Sequence, residues 1–431
     1  MKIVQVDVNY QSSSTGKIVA DLVTGLEGLG HSTLACFGRG EDHGFVRVHK
    51  ISPRVEVAFH ALGTRLTGLT GCYSPIATRR LIRLLADYQP DIVHLHDLHG
   101  YFLNIGELVA YLKVSATPTV WTFHCEFMYT GKCGYAFDCD KWKNGCGDCP
   151  SLHGYPKSWF FDFTAKMFDQ KRRMFEGFDH LHLTAPSRWL ADRMRESAIV
   201  GGKKITVVPN GLNIDVFQPQ KSDALRTELG LMDEFIVLSV GSNLFSEIKG
   251  GRWVLELAKR NPEMAFVMVG VEAAPASIPD NIKLIGRIYD QNLLAEYYSM
   301  ADVFLLTSAK ETFSMVSAES LACGIPVIGF DSGAPKEVAP PGFGEFVPYA
   351  DLNGLESLLR NFRNGVLSMK SAEECEEFAA RCYAKDVMVK TFEGIYQQFA
   401  VTDRRIGATD VRRNGATSQR PVSGSNTPTM K

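Results

Sequence analysis

The stretch Glu311-Thr-Phe-Ser-Met-Val-Ser-Ala-Glu319 decides the fold of this chain. The apolar run Ala301-Asp-Val-Phe-Leu-Leu-Thr307 precedes it, and Leu321-Ala-Cys-Gly-Ile-Pro-Val-Ile-Gly-Phe330 follows. Short apolar runs bounded by turn residues read as buried strands. The order is therefore strand, loop, short helix, turn, strand. Ser314 has the chemistry of a helix N-cap and Gly324 that of a helix stop. A helix opening at Ser314 aims free N–H groups and a partial positive charge at whatever precedes it, which suits a phosphate. Glu311 falls on the loop facing that cradle, and Glu319 falls inside the helix within reach of a ribose. Two glutamates at this spacing are ordinarily solvated helix charges. The flanking strands change the weight, because they put both carboxylates at the carboxyl end of a parallel sheet, where open α/β folds bind ligands. One group for a sugar, a helix end for a diphosphate and one group for a ribose describe a sugar-nucleotide site.

The same alternation runs through the rest of the chain. Residues 2–8, 32–37, 92–96, 119–123 and 182–185 read as strands of a first domain, and 236–240, 265–270, 283–285, 303–307 and 326–330 as strands of a second. Repeated βα units imply two doubly wound parallel sheets. The turn-rich segment Val207-Val-Pro-Asn-Gly-Leu-Asn-Ile-Asp-Val-Phe-Gln-Pro219 reads as the link. The expected division is a first domain over 1–206, a second over 207–385, and a terminal helix over 386–401 that packs back on the first domain. A basic tail over 402–431, rich in Ser, Thr, Gly and Asn, is expected to be disordered.

The composition is that of an ordinary globular protein, with 45% hydrophobic and 22% charged residues among 431. The net charge of −2 argues against nucleic acid as a partner. No stretch reaches the roughly 18 uninterrupted apolar residues of a spanning helix. The opening Met1-Lys-Ile-Val-Gln-Val-Asp-Val8 reads as a strand and not a signal peptide, so the cytoplasm is the expected compartment.

The run from Glu311 to Glu319, with Ala322-Cys-Gly-Ile-Pro-Val327 and Gly333-Ala-Pro-Lys-Glu-Val338, resembles the signature of family 4 retaining glycosyltransferases. The resemblance implies a GT-B fold, with two Rossmann-like domains facing across a cleft. The nucleotide-sugar donor would lie mainly on the second domain and the acceptor on the first. It implies catalytic roles for Glu311, Lys249 and His124, the last ending the strand-like Thr119-Val-Trp-Thr-Phe123. It implies donor contacts from Gly16, Asn243, Gly250, Gly270, Arg287, Phe313, Ser314, Met315, Val316 and Glu319, with no catalytic metal.

The chain departs from the family pattern in three places. The family's Arg soon after Gly241 is replaced by Ser242 or Asn243. Its glycine pair after the first strand is reduced to Gly16, within Ser12-Ser-Ser-Thr-Gly16-Lys17, which precedes a helical run over 18–29. Its His-Asp pair becomes His124-Cys125. The Ser12–Lys17 segment is neither a Walker loop nor a dinucleotide fingerprint. Gly333 is expected to serve backbone geometry and Glu337 to lie below the donor pocket. His94, His96 and His99 invite a metal reading, but only Asp97 stands beside them, so they are read as lining the cleft.

Cys133, Cys139, Cys146 and Cys149 form an insert, within 125–152, with the spacing of a four-thiolate structural zinc site. Reduced packed thiols or two disulfides are the alternatives. The insert resembles that of enzymes in colanic acid and related capsule or exopolysaccharide pathways, and shaping the acceptor site is its expected role. Such enzymes imply a glycan or polyprenyl-diphosphate-linked acceptor.

Phe59, Leu62, Leu66 and Leu69 have helical spacing among Arg54, Arg65, Arg79, Arg80 and Arg83. A core helix is the default, and peripheral contact with an anionic membrane the sharper reading. A nucleotide-sugar epimerase, or a binding protein weak in catalysis, are the alternative functions.

Overall fold

Short runs rich in Val, Ile, Leu and Phe become the strands. The computed structural model describes residues 1–414 apart from 42, 43 and 45. Its first seven strands are β1 (Lys2–Asp7), β2 (Ser32–Phe37), β3 (Val48–Lys50), β4 (Ile92–Leu95), β5 (Thr119–Thr122), β6 (Leu181–Ala185) and β7 (Ile205–Val207). They form a parallel sheet in the order β3-β2-β1-β4-β5-β6-β7. The next six are β8 (Ile236–Val240), β9 (Ala265–Val269), β10 (Ile282–Ile285), β11 (Val303–Leu306), β12 (Val327–Asp331) and β13 (Gly344–Pro348). Their parallel order is β10-β9-β8-β11-β12-β13. This is the expected pair of doubly wound sheets. Central strands such as β4, β5, β9 and β11 are buried along their whole length, as helices on both faces of a parallel sheet require.

Strand order reverses between β1 and β4 in the first sheet and between β8 and β11 in the second. These switch points are where open α/β sheets leave a crevice at their carboxyl ends. The segments that open there carry Ser12 and the start of the helix Ser13–Gly28, His96 to His99, Gly241 to Gly250, and Glu311.

The helix Lys385–Asn414 returns from the second domain to the first. Its Val389, Phe392 and Tyr396 pack against Ile3, Ile18, Leu22 and Val120. It is longer than the sequence indicates, since residues 402–414, expected to be disordered, continue it; positions 415–431 of that tail lie outside the described residues.

Two further expectations need correction. Gly16 lies inside the helix Ser13–Gly28 and not in a loop before it. The helix Arg54–Thr67 is not a core helix, because Phe59 is 70% exposed and Leu62 and Leu66 also face solvent. Of the four apolar residues read in period, only Leu69, beyond its end, packs on the core, beside Val57 of the opposite helix face.

Candidate functional site

After β8 the chain turns through a loop that closes at Gly250. A side chain is excluded there: φ is +68°, and a Cβ would stand 2.3 Å from the Thr307 carbonyl oxygen. This close approach lays Lys249 over the end of β11, and Thr307 Oγ1 donates to the Lys249 carbonyl at 2.9 Å. Lys249 Nζ then reaches Glu311 Oε1 at 2.7 Å. The Glu311 backbone is fixed from the next loop. Its N–H donates to Ser332 O at 2.8 Å, and its carbonyl accepts from Ala334 N at 3.1 Å. Gly333 permits this bridge with a φ of +111°.

The helix Met315–Ala322 begins where expected, and Gly324 follows its end in a left-handed conformation. Ser314 does not cap it with its side chain. Its backbone is left-handed, φ +87°, and its hydroxyl pairs with Ser317 Oγ at 2.8 Å. No side chain at Ser314 therefore covers the first-turn N–H groups. Met315 and Val316 are partly buried there. The ring of Phe313 is buried against Tyr383, with centroids 5.6 Å apart, so its side chain belongs to the core and its backbone is what it can offer a donor. Glu319 accepts from the Tyr298 hydroxyl at 2.9 Å. Burial raises its pKa, while Tyr298 and the charge of Lys17, from the first domain, lower it. Gly270 approaches Gly241 so closely that a Cβ would stand 2.3 Å from its carbonyl oxygen. Asn243 is exposed. Arg287 is exposed too, with its guanidinium 5.1 Å from the ring centre of Tyr289.

Across the cleft, His124 ends a buried polar chain. Gln5 Nε2 donates to the Tyr396 hydroxyl at 3.4 Å, leaving Gln5 Oε1 to accept from His96 Nε2–H at 2.8 Å. A neutral His96 then accepts through Nδ1 from His124 Nε2–H at 3.1 Å. This consistent assignment leaves the His124 Nδ1 lone pair for a hydroxyl. Burial lowers His124 to about 4, so the ring is neutral at pH 7. His94 is bound to Tyr396 and Thr122 at 2.6 and 2.7 Å. His94 and His96 thus support His124 from below and do not line the cleft, correcting the sequence reading.

Two residues that the sequence did not single out join the halves. Thr312 Oγ1 donates to the His124 carbonyl at 2.7 Å, and Ser187 Oγ donates to the Thr312 carbonyl at 2.7 Å. Glu337 is not a floor to the donor pocket. Its carboxylate accepts from Arg188 N and Trp189 N at 2.7 and 2.5 Å, at the start of the helix Arg188–Glu196.

The insert has little regular structure and is held by buried polar groups. Glu126 accepts from Arg193, Tyr129 and the Ala136 N–H at 2.6 to 2.7 Å. Lys171 donates to the carbonyls of Phe127, Thr130 and Gly131, and burial lowers it to about 7. Cys133, Cys139, Cys146 and Cys149 are free thiols lining one small cavity. A hydrogen bond from Cys133 lowers Cys149 to about 6, and Gly131 N–H donates to Cys146 Sγ at 3.3 Å. A cavity of about 540 Å³ separates Cys149 to Gly154 from Glu247 of the second domain, so the insert borders the cleft.

Known proteins share this architecture. A family model for Glycosyltransferase Family 4 matches residues 15–216, and one for Glycosyl transferases group 1 matches residues 221–378. A protein of Escherichia coli K12, provisionally described as the colanic acid biosynthesis glycosyl transferase WcaC, is 22% identical over 72% of this chain and 76% of its own. A GDP-mannose-dependent alpha-mannosyltransferase of Mycobacterium tuberculosis is 28% identical over 78% of each chain. Among solved structures, sucrose-phosphate synthase of Thermosynechococcus elongatus superposes with a TM-score of 0.68 over 93% of this chain and all of its own, at 17% identity. Anabaena HepE in complex with UDP-glucose superposes with a TM-score of 0.62 over 94% of this chain and all of its own, at 13% identity. With one family model on each parallel sheet and relatives spanning both, the chain belongs to the two-domain glycosyltransferases of GT-B fold.

Proposed function

We propose that this glycosyltransferase moves a hexose, with retention, from a UDP- or GDP-sugar to a glycan or polyprenyl-diphosphate-linked acceptor in bacterial exopolysaccharide assembly. One observation carries the reading. Lys249 and Glu311 are paired at the switch point of the second sheet, and the next residue, Thr312, is bonded to His124 of the first domain.

The acceptor hydroxyl attacks the anomeric carbon on the face that the diphosphate leaves, and its proton passes to the departing phosphate oxygen. Lys249 and the first N–H groups of the helix Met315–Ala322 stabilise the developing phosphate charge without a divalent metal. Glu311 orients the donor sugar, Glu319 holds the ribose, and His124 Nδ1 accepts from a sugar hydroxyl. Lys17, whose charge acts on Glu319 from across the cleft, supplies the second cation where the family has an arginine. Arg287 and Tyr289 offer a face to the base.

Two supports accompany the reaction. The four cysteines of the insert line one cavity, and a structural zinc ion that drew them together would stiffen the wall opposite Glu247. The exposed apolar side chains of the helix Arg54–Thr67, with Trp159, Phe160 and Phe161 beside them, suit docking on an anionic membrane at its cytoplasmic face. Among the described residues, no helix is long and apolar enough to cross a membrane.

The test is a panel of UDP-, GDP- and ADP-sugars with and without EDTA, following slow donor hydrolysis and thermal stabilisation. The expected result is one donor class that stabilises the protein and is hydrolysed in EDTA with the anomeric configuration kept. Inversion, or isomerisation of the donor without transfer, overturns the reading.

A further inference from the structure

The loop after β4 and the chain just beyond β5 bring three unlike donor groups together. Cys125 Sγ lies 3.7 Å from Asp97 Oδ1 and 3.9 Å from His99 Nδ1, and His99 Nδ1 lies 3.8 Å from Asp97 Oδ1. Among the described residues, this is the one group of His, Cys, Asp and Glu donors gathered within 4.8 Å of one another. The three sides are nearly equal. The centre of such a triangle lies about 2.2 Å from each corner, the side divided by √3, which matches zinc bonds of about 2.0–2.2 Å to nitrogen or oxygen and about 2.3 Å to sulfur.

The surroundings fix the donors, and the charge of the buried Lys171 reaches His99 and Cys125. His99 is stacked on Phe127, with centroids 5.1 Å apart, and meets Tyr155 edge-on at 5.7 Å. The Asp97 backbone N–H donates to Oδ1 of the buried Asp7 at 3.0 Å, which fixes the loop that carries Asp97 and His99. Asp7 is held further by Asn9 N–H and the Thr15 hydroxyl, at 3.1 and 3.3 Å. Among the described residues, neither Asp7 nor Asp97 forms an ion pair with a lysine or arginine.

We propose that Asp97, His99 and Cys125 form a three-ligand site for a divalent cation of the zinc class, with a fourth position open to water. One thiolate and one imidazole favour zinc over magnesium or calcium, which take oxygen ligands. Three protein ligands and an open position differ in kind from a closed four-thiolate site. The site adjoins His124 on the first domain, apart from the donor diphosphate. It rests on neither the donor reading nor the four cysteines Cys133, Cys139, Cys146 and Cys149.

Zinc per chain is measured by mass spectrometry in the full chain after exhaustive dialysis, for wild type, Cys125→Ser, His99→Gln and Cys139→Ser. The first two variants are expected to hold one equivalent less than wild type, and Cys139→Ser to keep that equivalent. Equal zinc in wild type, Cys125→Ser and His99→Gln overturns the proposal. Should these variants not fold, X-ray absorption at the zinc edge of wild type decides. Imidazole and oxygen scatterers beside sulfur are expected; a spectrum of sulfur alone, or no zinc, overturns the site.

Discussion

Thr312 Oγ1 donates to the His124 carbonyl at 2.7 Å, so one side chain ties the loop of Glu311 to the strand end that presents His124. Neither group can be placed against a shared sugar unless the domains keep this relation. Thr312→Val keeps the shape and deletes the bond, which is worth about 1 kcal/mol. Transfer by this variant should fall about five- to tenfold in kcat/KM with little change in thermal midpoint. Steady-state kinetics beside a melting curve check this, and unaltered kcat/KM would remove the clamp from the mechanism.

The Lys249–Glu311 pair separates binding from chemistry. A donor diphosphate must draw Lys249 away from Glu311, so each residue has its own signature. Lys249→Ala should weaken nucleoside diphosphate binding by tenfold or more, the loss of a charge-assisted bond, while nucleoside binding stays. Glu311→Gln should leave donor affinity within a few-fold and lower kcat by about two orders of magnitude, since its carboxylate acts on the sugar. Isothermal titration and single-turnover transfer distinguish the two. A Glu311→Gln enzyme with native kcat would sink its assignment.

His60 is buried and neutral: Gly71 N–H donates to its Nε2 at 3.1 Å, and its Nδ1–H meets Ser74 Oγ at 2.8 Å. Burial lowers its pKa from 6.5 to about 4. Below about pH 6.5 the unfolded chain takes up a proton that the folded chain refuses until about pH 4, so stability falls as pH drops through that window. A shift of this size corresponds to roughly 3 kcal/mol. His60→Gln should therefore lose less stability than wild type between pH 7 and pH 4.5. Chemical denaturation followed through the buried Trp121 and Trp142 of the first domain measures it. Parallel losses would contradict this role.

Much of this architecture is legible in the sequence, for a physical reason. Strands such as β9 and β11 are continuous apolar runs because both sheet faces are covered. β3 and β7, with three residues each, are too short for any period to declare itself. Glu311 and Lys249 are legible because each follows a strand at a switch point. Glu337 is not, since its service to Arg188 and Trp189 depends on how two domains meet. Nor is Cys125 beside Asp97 and His99. The strand pairing of β4 with β5 assembles that group across the sheet, and a linear reading saw only a substituted aspartate.

The period of Phe59, Leu62 and Leu66 fits both a core helix and a membrane-facing one, because period reports only that one face is apolar. Here that face looks outward, with Phe59 exposed and Phe160 67% exposed on the neighbouring loop. Trp159 N–H donates to the Arg65 carbonyl at 2.7 Å, so helix and loop present one surface. Arg54, Arg79, Arg80 and Arg83 lie on this helix and the helix Pro75–Tyr88. Aromatic side chains entering the headgroup boundary and arginines attracted to anionic lipid act together. Phe59→Ser with Phe160→Ser removes burial worth about 1.5–3 kcal/mol per side chain. Binding to vesicles containing phosphatidylglycerol should fall at least tenfold in sedimentation, and added salt should weaken wild type further. Turnover of a water-soluble acceptor should not change, because neither side chain lies at the cleft. Equal vesicle binding by wild type and variant would leave this face without a membrane role.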